Sequence, residues 1–595
     1  MIKNSKVNDK FPIDVKSVIP KKRDEVLNVN GWGFKDSYFT MKDGILTFSG
    51  TRYPLSDMPF KKAQQHLLSL LDTDISNYKT ITNPIHLESD YPPAVTNDEF
   101  INDLKSSKIE FSIDFNDRFH RCRGQAMKDF YILRYGKFER IPDIVVFPKS
   151  HEDVVLCVEL ANKYCAVIIP YAGGTNTMLS LSHSKDDERF FISLDMTQMN
   201  RILWIDRKSM LACMEAGIVG KDMEEALEKE GLTVGHEPDS IELSTLGGWV
   251  ATRSSGMKQQ TYGNIEDIVE KITLVTSIGV LEKDFLAPRV SIGPDFHQIV
   301  LGSEGTLGVI TKVVVKVHKI PEIRRFGSIV FPDFEHGVKF MHEVSKWPLK
   351  PSSLRLVDNF HIQIGMTFEN HPSYLSGWIS AVKQYFLLNV YRFDIKKISL
   401  VTYLIENNKE EADRLEEKFK FAAKEFDGIL TGPEYGTKTY LMTLVVCYTR
   451  DFFYDLGFLF DSLETSVTWD KLWTLITTIE SAWKQEVAAR KLKNALAIRI
   501  SQIYHSGACV YVYFGIGPTE VQNQFEVFNE LNKMLKSLMI RAGGTLSHHH
   551  GVGKKNMEFY PKVVSQVEVD IFKAIKRQVD PKNVFGAGNM IEYKL

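Results

Sequence analysis

A glycine-rich loop that runs directly into a β-branched segment constrains this chain more than any other stretch. The loop is Gly302-Ser-Glu-Gly-Thr-Leu-Gly308, and the segment Val309-Ile-Thr-Lys-Val-Val-Val-Lys-Val317 that follows predicts a buried strand. Glycines allow positive φ, and they let a ligand or another backbone approach closely because they carry no Cβ. The stretch therefore indicates either a loop that holds a cofactor against main-chain amides or an ordinary turn before a strand.

Composition excludes several classes of protein. The chain has 595 residues, which is long enough for several domains with sizeable cores. Its formal net charge of -2 gives no electrostatic footprint for nucleic acid. Six cysteines are scattered without a C-x-x-C pair, which argues for a reducing compartment and against a disulfide framework or a zinc ribbon. No apolar run reaches the roughly 18 residues that predict a membrane span, and the polar residues after Met1 predict no secretory signal.

A second glycine loop follows a predicted β-α-β unit. Ile141–Pro148 and Ala166–Pro170 read as short buried strands. Between them, Ser150 stands at the N-cap position of a helix predicted over His151–Tyr164. The second strand leads into Tyr171-Ala-Gly-Gly-Thr-Asn-Thr177. This order resembles a dinucleotide fold, but neither loop has a G-x-G-x-x-G, so phosphate binding requires a different glycine arrangement.

The segment His236–Gly256 is dense in Ser, Thr and Gly and has few charges. It suits a pyrophosphate held by neutral donors, because an oriented nest of N–H groups binds an anion without lysines. The alternative is a Ser/Thr-rich surface loop. We disfavour it because Leu246, Trp249 and Val250 are interleaved with the hydroxyls and imply burial.

Changes in polarity and in predicted secondary structure divide the chain into four parts. Residues 1–137 form a polar N-terminal extension with short helices such as Lys61–Leu71, and residues 138–320 form the β-α-β domain with its glycine loops. Residues 321–544 are a mixed α+β domain that covers the first, with strands predicted at Leu441–Tyr448 and Cys509–Phe514. Residues 545–595 are a tail.

Three motifs resemble the vanillyl-alcohol-oxidase-type FAD-binding family: Ala172-Gly-Gly-Thr175, Gly302-Ser-Glu-Gly-Thr-Leu-Gly-Val-Ile310 and Asp580-Pro-Lys-Asn-Val-Phe-Gly586. The resemblance implies an α+β fold in which FAD lies between two α+β subdomains, with an α+β cap domain over the isoalloxazine ring. Residues 138–320 are then the FAD-binding domain, and residues 321–544 are the cap or substrate domain. Residues 545–595 supply an active-site loop and a helical return to the FAD domain.

Four further stretches narrow this resemblance to the branch of the family that forms the ether bond of ether lipids: Asn30–Ser37, Gly235–Val250, Tyr262–Asp267 and Ser547–Gly553. That likeness implies exchange of the acyl chain of 1-acyl-dihydroxyacetone phosphate for a long-chain fatty alcohol. The products are 1-alkyl-dihydroxyacetone phosphate and a fatty acid, formed through an adduct at flavin N5 without net redox. It also implies a peroxisomal homodimer in peripheral contact with a membrane. The terminal Tyr593-Lys-Leu595 is only a weak import tag, because the small first residue of Ser-Lys-Leu is absent.

The resemblance also assigns FAD contacts to four stretches. Their residues are Pro170, Tyr171, Ala172, Gly173, Gly174, Thr175, Asn176, Asp239, Ser240, Ile241, Glu242, Leu243, Ser244, Thr245, Thr252, Arg253, Ser254, Ser255, Glu304, Gly305, Thr306, Leu307, Gly308, Val309 and Ile310. The chain departs from the family at Ala172, where glycine is usual, and at Asn176, where serine is usual. FAD binding should survive if φ is negative at Ala172. No histidine stands out as an attachment site, so we expect non-covalent FAD.

Three residues outside the glycine loops match active-site positions of the family. Tyr511 lies at the position of its active-site tyrosine, and Arg355 matches a residue needed for activity. Arg450 is the candidate ligand of a phosphate or carboxylate, because a guanidinium fork suits such oxyanions. A phenol with its usual pKa of about 10 is a poor base without a nearby cation or histidine. From the residues alone, Tyr511 could also be a cross-strand aromatic and Arg450 a surface ion pair with its neighbour.

The triple histidine His548, His549 and His550 raises the question of a metal. We expect none, because three adjacent side chains diverge on any backbone and make a poor zinc site. Imidazoles beside a phosphate suit charge compensation or proton transfer near neutral pH. A purely structural loop is the alternative.

Three functions therefore compete. The first is the ether-lipid transferase, and the second is an FAD-dependent oxidoreductase of the same fold that acts on a 2-hydroxy acid or an alcohol. The third is a non-catalytic flavoprotein that binds lipid or a partner. The sequence favours the first, because a decayed enzyme should have lost Tyr511, Arg450 or part of His548–Gly553.

Overall fold

The computed structural model describes residues 11–76, 78, 86–368, 392–518, 523–586 and 588–593. Three β-sheets organise them. The first sheet contains, in spatial order, Glu110–Ser112, Ile144–Phe147, Phe191–Asp195 and Val167–Tyr171. The second sheet contains Ile13–Asp14, Arg201–Asp206, Leu211–Glu215, Val309–Lys316, Val269–Thr276 and Gly279–Leu281. The third sheet contains Ile429–Leu430, Ile323–Phe331, Ser399–Asn407, Ser353–Val357, Asn494–Ile503, Gly507–Ile516 and Leu459–Thr468.

Two short ribbons and a set of helices complete the architecture. The ribbons pair Phe39–Lys42 with Ile45–Phe48 and Leu232–Thr233 with His318–Lys319. The α-helices are Ala63–Leu71, Asp98–Ser107, Phe115–His120, Met127–Tyr135, His151–Lys163, Gly220–Glu228, Leu246–Thr252, Gln259–Tyr262, Ile265–Ile268, Phe296–Val300, Phe334–Ser345, Asn359–Thr367, Lys409–Glu425, Pro433–Asp455, Trp469–Ala489, Gln524–Arg541, Tyr560–Val563 and Gln566–Val579.

The elements predicted around the two glycine loops are confirmed. The loop at Gly302 runs into the strand Val309–Lys316, whose side chains are almost all buried. The β-α-β unit is also present: a buried strand, Ile144–Phe147, precedes the helix His151–Lys163. Ser150 caps that helix through a hydrogen bond that its hydroxyl accepts from the Asp153 amide at 3.1 Å.

The strand predicted over Leu441–Tyr448 is wrong. These residues lie in the middle of a 23-residue helix, Pro433–Asp455, with proline in its first turn, where no amide donor is needed. The helix packs closely on the third sheet, because a Cβ added at Gly436 would lie 2.6 Å from the carbonyl oxygen of Gly327. Packing against the sheet therefore overrides the strand preference of the β-branched run.

The N-terminal extension contains the expected helices and also supplies strands. Ile13–Asp14 pairs with the second sheet, and residues 39–48 form a hairpin. Apolar residues of the extension share one continuous core with those of the third sheet. Of the leucines on the helix Ala63–Leu71, Leu67 and Leu71 are buried in that core and Leu68 is exposed. The extension is thus packed into the body of the protein.

A buried ion cluster fixes the N-terminal extension to the loop Tyr171–Thr177, which is the first glycine loop in chain order. The guanidinium of Arg23 donates to Asp195 at 3.0 Å and also to the carbonyl oxygen of Ala172. Arg121 donates to the same carboxylate at 2.7 Å. Burial by itself would raise the pKa of Asp195, but the two guanidiniums hold it well below its usual range.

The C-terminal tail packs against the Gly302 loop through a second buried ion pair. The Lys576 ammonium, which is 3% exposed, contacts Asp580 and donates to the carbonyl oxygens of Thr306 at 2.7 Å and Phe585 at 2.9 Å. Asp580 also accepts the amides of Val584 and Phe585. Lys594 and Leu595, the end of the weak import tag, lie outside the described residues.

Replacing Lys576 with methionine should destabilise the protein by about 3 kcal/mol, because Asp580 would remain buried without its counter-charge. Thermal unfolding of the FAD-loaded protein measures the effect as a lower melting temperature. Lys573→Met, on the same helix but partly exposed, is the matched control. Equal melting temperatures for the two variants would contradict a structural role for the Lys576–Asp580 pair.

Candidate active site

One cavity of about 510 Å³ lies where the glycine loops meet the third sheet. Most residues assigned to FAD from the sequence line it. They are Pro170, Tyr171, Ala172, Gly173, Gly174, Thr175, Asn176, Asp239, Ser240, Ser244, Thr245, Thr252, Ser254, Ser255, Glu304, Gly305, Gly308, Val309 and Ile310. Arg355, Arg450, Tyr511, His549 and His550 line the same cavity. The structure therefore brings both predicted sets together.

Seven predicted site residues are not part of the cavity lining: Ile241, Glu242, Leu243, Arg253, Thr306, Leu307 and His548. Their contacts are those of supporting residues. The Glu242 carboxylate, for example, accepts the Tyr53 hydroxyl at 2.8 Å and the Lys221 ammonium at 2.9 Å. Leu243 and Leu307 are buried in apolar cores.

The glycine loops form one wall of the cavity, called the glycine cradle below. Glycine is required there because other segments of backbone approach it closely. A Cβ at Gly173 would lie 2.0 Å from the carbonyl oxygen of Leu243, and one at Gly308 would lie 2.4 Å from that of Val275. Gly174 and Gly305 both have φ near +71°. Serine and threonine hydroxyls share this wall of the cavity. Bare backbone and neutral donors are the groups expected to hold a pyrophosphate, so this wall fits FAD.

The two departures from the family pattern are accommodated. The φ of Ala172 lies outside the left-handed region, so its methyl group causes no backbone strain. Its carbonyl oxygen accepts a hydrogen bond from Arg23. The Asn176 side chain accepts the amides of Met178 at 2.9 Å and Ser180 at 3.0 Å and so shapes the loop beyond it.

Opposite the glycine cradle, Tyr511 and His549 form a hydrogen-bonded pair. The phenol oxygen lies 2.5 Å from His549 Nε2. Tyr511 stacks on Tyr513 with ring centroids 5.5 Å apart, as expected for two residues on one face of a strand. The guanidinium of Arg499 lies 4.7 Å from the centroid of the Tyr511 ring and ion-pairs with Asp239 at 3.4 Å.

Burial controls the protonation of this pair. It raises the pKa of Tyr511 well above its usual value; Asp239 and Tyr513 add to the shift and Arg499 opposes it. Burial lowers the pKa of His549 to about 4, although Glu464 opposes that shift. At neutral pH both groups are therefore uncharged.

Two buried carboxylates hold the loop Ser547–Gly553, called the histidine loop below, from opposite sides. Glu304, in the glycine loop at Gly302, accepts the amides of Val552 at 2.6 Å and Gly553 at 2.7 Å. Glu464, on the third sheet, accepts the amide of His550 at 3.0 Å and the Ser547 hydroxyl at 2.6 Å, and it also contacts the His548 amide. The loop is therefore a bridge between the two domains.

The arginines have different surroundings. Arg450 lies 3.9 Å from the centroid of the Phe130 ring and donates to the Gln125 carbonyl oxygen at 3.0 Å. Its Nε is 3.9 Å from Asp451, but both side chains are largely buried, so the pair is not a surface ion pair. Arg355 is fully enclosed, donates to Thr443 at 2.9 Å, and has its pKa lowered by burial.

Among the described residues, two histidines of the histidine loop and two side chains of the third sheet form a group of potential metal ligands. Side-chain ligand atoms of Glu464, Cys509, His548 and His549 all lie within 4.8 Å of one another. Contrary to the expectation that adjacent histidines diverge, the Nδ1 atoms of His548 and His549 are 2.9 Å apart. That separation is a hydrogen bond, and each Nε2 is bonded to a tyrosine, so the arrangement is explained without an ion.

Sequence reasoning missed several residues of this site. Arg499, Gln502 and Tyr513 line the cavity, and so do Trp32 and Gln125 from the N-terminal extension. A signal for Arg499 existed in Leu496-Ala-Ile-Arg-Ile500, where one charge interrupts an otherwise apolar strand. Contacts made by the extension had no such signal because they depend on tertiary packing.

Comparison with known proteins agrees with this geometry. Residues 142–283 match an FAD-binding domain model, and residues 320–590 match the C-terminal domain of FAD-linked oxidases. A curated relative from Caenorhabditis elegans, described as alkyldihydroxyacetonephosphate synthase, is 40% identical over 574 residues that cover 96% of each chain. The chain belongs to the alkyldihydroxyacetonephosphate synthase family.

Other relatives of this description extend the likeness to the whole fold. The one from Dictyostelium discoideum is 30% identical and covers 94% of this chain and 93% of its own. A solved structure of alkyldihydroxyacetonephosphate synthase superposes with a TM-score of 0.82 at 28% identity, over 96% of this chain and 99% of that one. The predicted vanillyl-alcohol-oxidase-type α+β fold is thereby confirmed, and FAD is the cofactor of this flavoenzyme. In the described part of the chain, no helix has the length and apolar character to cross a bilayer.

Glu304→Gln should loosen the histidine loop, because an amide cannot accept the Val552 and Gly553 amides as a carboxylate does. Loss of about 2 kcal/mol corresponds to a roughly 30-fold faster hydrogen exchange of residues 551–553. Mass spectrometry of the FAD-loaded protein measures that exchange. Glu282→Gln, at an exposed carboxylate that accepts Thr273, is the control. Unchanged exchange in Glu304→Gln would show that the carboxylate does not hold the loop.

Proposed function

We propose that the chain acts in ether-lipid biosynthesis as a transferase. It exchanges the acyl chain of 1-acyl-dihydroxyacetone phosphate for a long-chain fatty alcohol and releases a fatty acid. One observation carries this assignment within the family: a single cavity joins the glycine cradle, the Tyr511–His549 pair and Arg450. An oxidoreductase of the same fold that acts on a 2-hydroxy acid would also use a guanidinium, to bind the carboxylate. The 40% identity to an alkyldihydroxyacetonephosphate synthase favours the transferase over that alternative.

The composition of the cavity wall suits both substrates. Three guanidiniums, those of Arg355, Arg450 and Arg499, offer charge to a phosphate. Apolar side chains offer contact to alkyl chains; they include Trp32, Phe360, Ile364, Val446, Phe453 and Phe460. The Nε atoms of Arg450 and Arg499 are both buried without a hydrogen-bond partner among the described residues. Because Arg499 already pairs with Asp239 at 3.4 Å, Arg450 is the better placed of these two to take up a phosphate oxygen.

When bound, FAD supplies a nucleophilic nitrogen that permits replacement of the acyloxy group without net oxidation or reduction. The cradle residues hold the cofactor through backbone and hydroxyl donors. Tyr511 and His549 move protons at the substrate, with Tyr511 as the group facing the cavity and His549 Nε2 as the acceptor behind it. Glu464 beneath the loop compensates a positive charge that forms on the His549 imidazole, because its carboxylate raises the pKa of that group.

A transfer assay without an electron acceptor tests the function. FAD-loaded protein receives palmitoyl-dihydroxyacetone phosphate and hexadecanol under anaerobic conditions, and mass spectrometry detects the lipid products. The transferase gives alkyl-dihydroxyacetone phosphate and palmitate. Absence of alkyl product together with bleaching of the flavin by a 2-hydroxy acid would overturn the proposal in favour of the oxidoreductase.

Tyr511→Phe should lower kcat by about 100-fold, the range typical of a lost general acid–base group, and leave FAD binding intact. Tyr513→Phe removes a hydroxyl from the stacked neighbour and should lower kcat by less than about tenfold. Flavin absorbance checks cofactor loading in both variants. A Tyr511→Phe enzyme with full activity would remove this residue from the mechanism.

We also propose that FAD is dissociable, that the protein is a peroxisomal homodimer, and that it meets a membrane peripherally. Acid precipitation should release the flavin into the supernatant. Long-chain substrates are the reason to expect membrane contact, and flotation with phospholipid vesicles tests it. Burial of Leu67 and Leu71 argues against the first helix of the extension as the contact surface.

A further inference from the structure

The histidine loop belongs to a chain of five hydrogen bonds whose donors and acceptors can be assigned in only one way. It links Gly256, Gln502, Tyr504, His548, His549 and Tyr511, which together span the FAD-binding domain, the third sheet and the tail. The separations along it are 3.0, 2.9, 2.6, 2.9 and 2.5 Å. Each is within ordinary hydrogen-bond range or shorter.

The assignment of donors and acceptors is fixed at the Gly256 end of the chain of hydrogen bonds. A carbonyl oxygen can only accept, so Gln502 presents its amide nitrogen to Gly256 and its Oε1 to Tyr504. An amide oxygen can also only accept, so the Tyr504 hydroxyl donates to it. Gln502 is 7% exposed, and the Gly256 carbonyl oxygen fixes the orientation of its amide, because the single proton of the nearby Ser255 hydroxyl lies on a shorter contact with Asn264 Oδ1.

The histidine tautomers follow from that assignment. The Tyr504 hydroxyl donates its only proton to Gln502. The Tyr504 oxygen must therefore accept a hydrogen bond from His548, which carries its proton on Nε2. The Nδ1 of His548 is then a lone pair that faces His549, so His549 carries its proton on Nδ1. His549 Nε2 is left as a lone pair, and it faces the Tyr511 hydroxyl.

We propose that Tyr504 and Gln502 are positioning residues that lock His549 in the tautomer able to accept a proton from Tyr511. The inference rests on the proposed function, in which that proton is moved during acyl–alkyl exchange. The orienting logic is that of a catalytic imidazole held by a third group, here a chain that ends on a backbone carbonyl.

The proposed proton transfer is balanced between Tyr511 and His549. The Tyr511 O–H bond breaks as an N–H bond forms at His549 Nε2, which makes His549 an imidazolium with protons on both nitrogens. Its Nδ1–H remains donated to His548, so the charge is shared across the pair. The Glu464 carboxylate, whose oxygens accept backbone amides of the same loop, lies beneath as counter-charge. Reversal of the step returns the proton to Tyr511.

The kinetics of Tyr504→Phe and Gln502→Met test whether these two residues fix the His549 tautomer and thereby act on the Tyr511 proton. Each variant should lower kcat at least tenfold. In Tyr504→Phe the KM for the acyl substrate and FAD loading should be unchanged, because Tyr504, unlike Gln502, does not line the cavity. The decisive measurement is a double-mutant cycle. In a Tyr511→Phe background, Tyr504→Phe should cause no further loss of kcat, since it acts only through that phenol. Multiplicative losses would overturn the proposal and show a general structural effect.

A second measurement separates this inference from the proposed function. Solid-state ¹⁵N NMR of histidine-labelled protein distinguishes the two neutral tautomers, with His548→Gln and His549→Gln used for assignment. We expect His548 protonated on Nε2 and His549 on Nδ1, with both signals altered in Tyr504→Phe. The opposite tautomers would overturn the lock even in an active enzyme. The expected tautomers in a protein without transferase activity would leave the lock standing and refute the proposed reaction.

Matched variants guard against misfolding. Tyr504→His keeps a ring nitrogen that can accept from His548 and should recover part of the kcat lost in Tyr504→Phe. Tyr403→Phe, at a buried tyrosine in the core of the third sheet, controls for the loss of a phenol elsewhere. Failure of Tyr504→His to exceed Tyr504→Phe, with both variants folded and FAD-loaded, would count against the proposal.

Discussion

The active site depends on two buried carboxylates that grip one loop from opposite directions. Glu304 reaches the loop from the glycine-rich turn of the FAD-binding domain, and Glu464 reaches it from the third sheet. Each accepts several donors, so each charge is satisfied inside the protein, where an unpaired carboxylate would be costly. The histidines can therefore stand between the two domains at fixed distances from both.

This arrangement also explains why three separate parts of the chain are needed for one cavity. Arg23 in the extension holds the carbonyl oxygen of Ala172 in the first glycine loop, and Gln125 holds Arg450 of the long cap helix. Asp239 in the FAD-binding domain pairs with Arg499 of the third sheet. Each contact crosses a boundary between parts and places a polar group on the cavity wall. Positioning in this enzyme therefore relies on ion pairs and hydrogen bonds between the parts of the chain as well as within them.

The local elements of the FAD-binding domain could be predicted because their signals are local. A β-branched run gave the strand Val309–Lys316, and a serine before an apolar helical period gave the N-cap at Ser150. The helix Pro433–Asp455 could not be predicted in the same way, because its apolar run is typical of a strand and only its packing on the third sheet makes it helical. The roles of Glu464, Gln502 and Tyr504 were also invisible. Apart from the contact between Gln502 and Tyr504 themselves, the partners that define these roles lie between 44 and 246 residues away along the chain.

By itself the sequence determined the FAD-binding fold and the residue types of the site, since glycines that must admit backbone and motifs such as Ser547–Gly553 are written directly in it. It could not determine which histidine faces the tyrosine, which arginines keep an unpaired donor, or which tautomer each imidazole holds. Those properties depend on the direction of hydrogen bonds and on desolvation, and both arise only when the extension, the two domains and the tail pack together. Tertiary structure alone decided them.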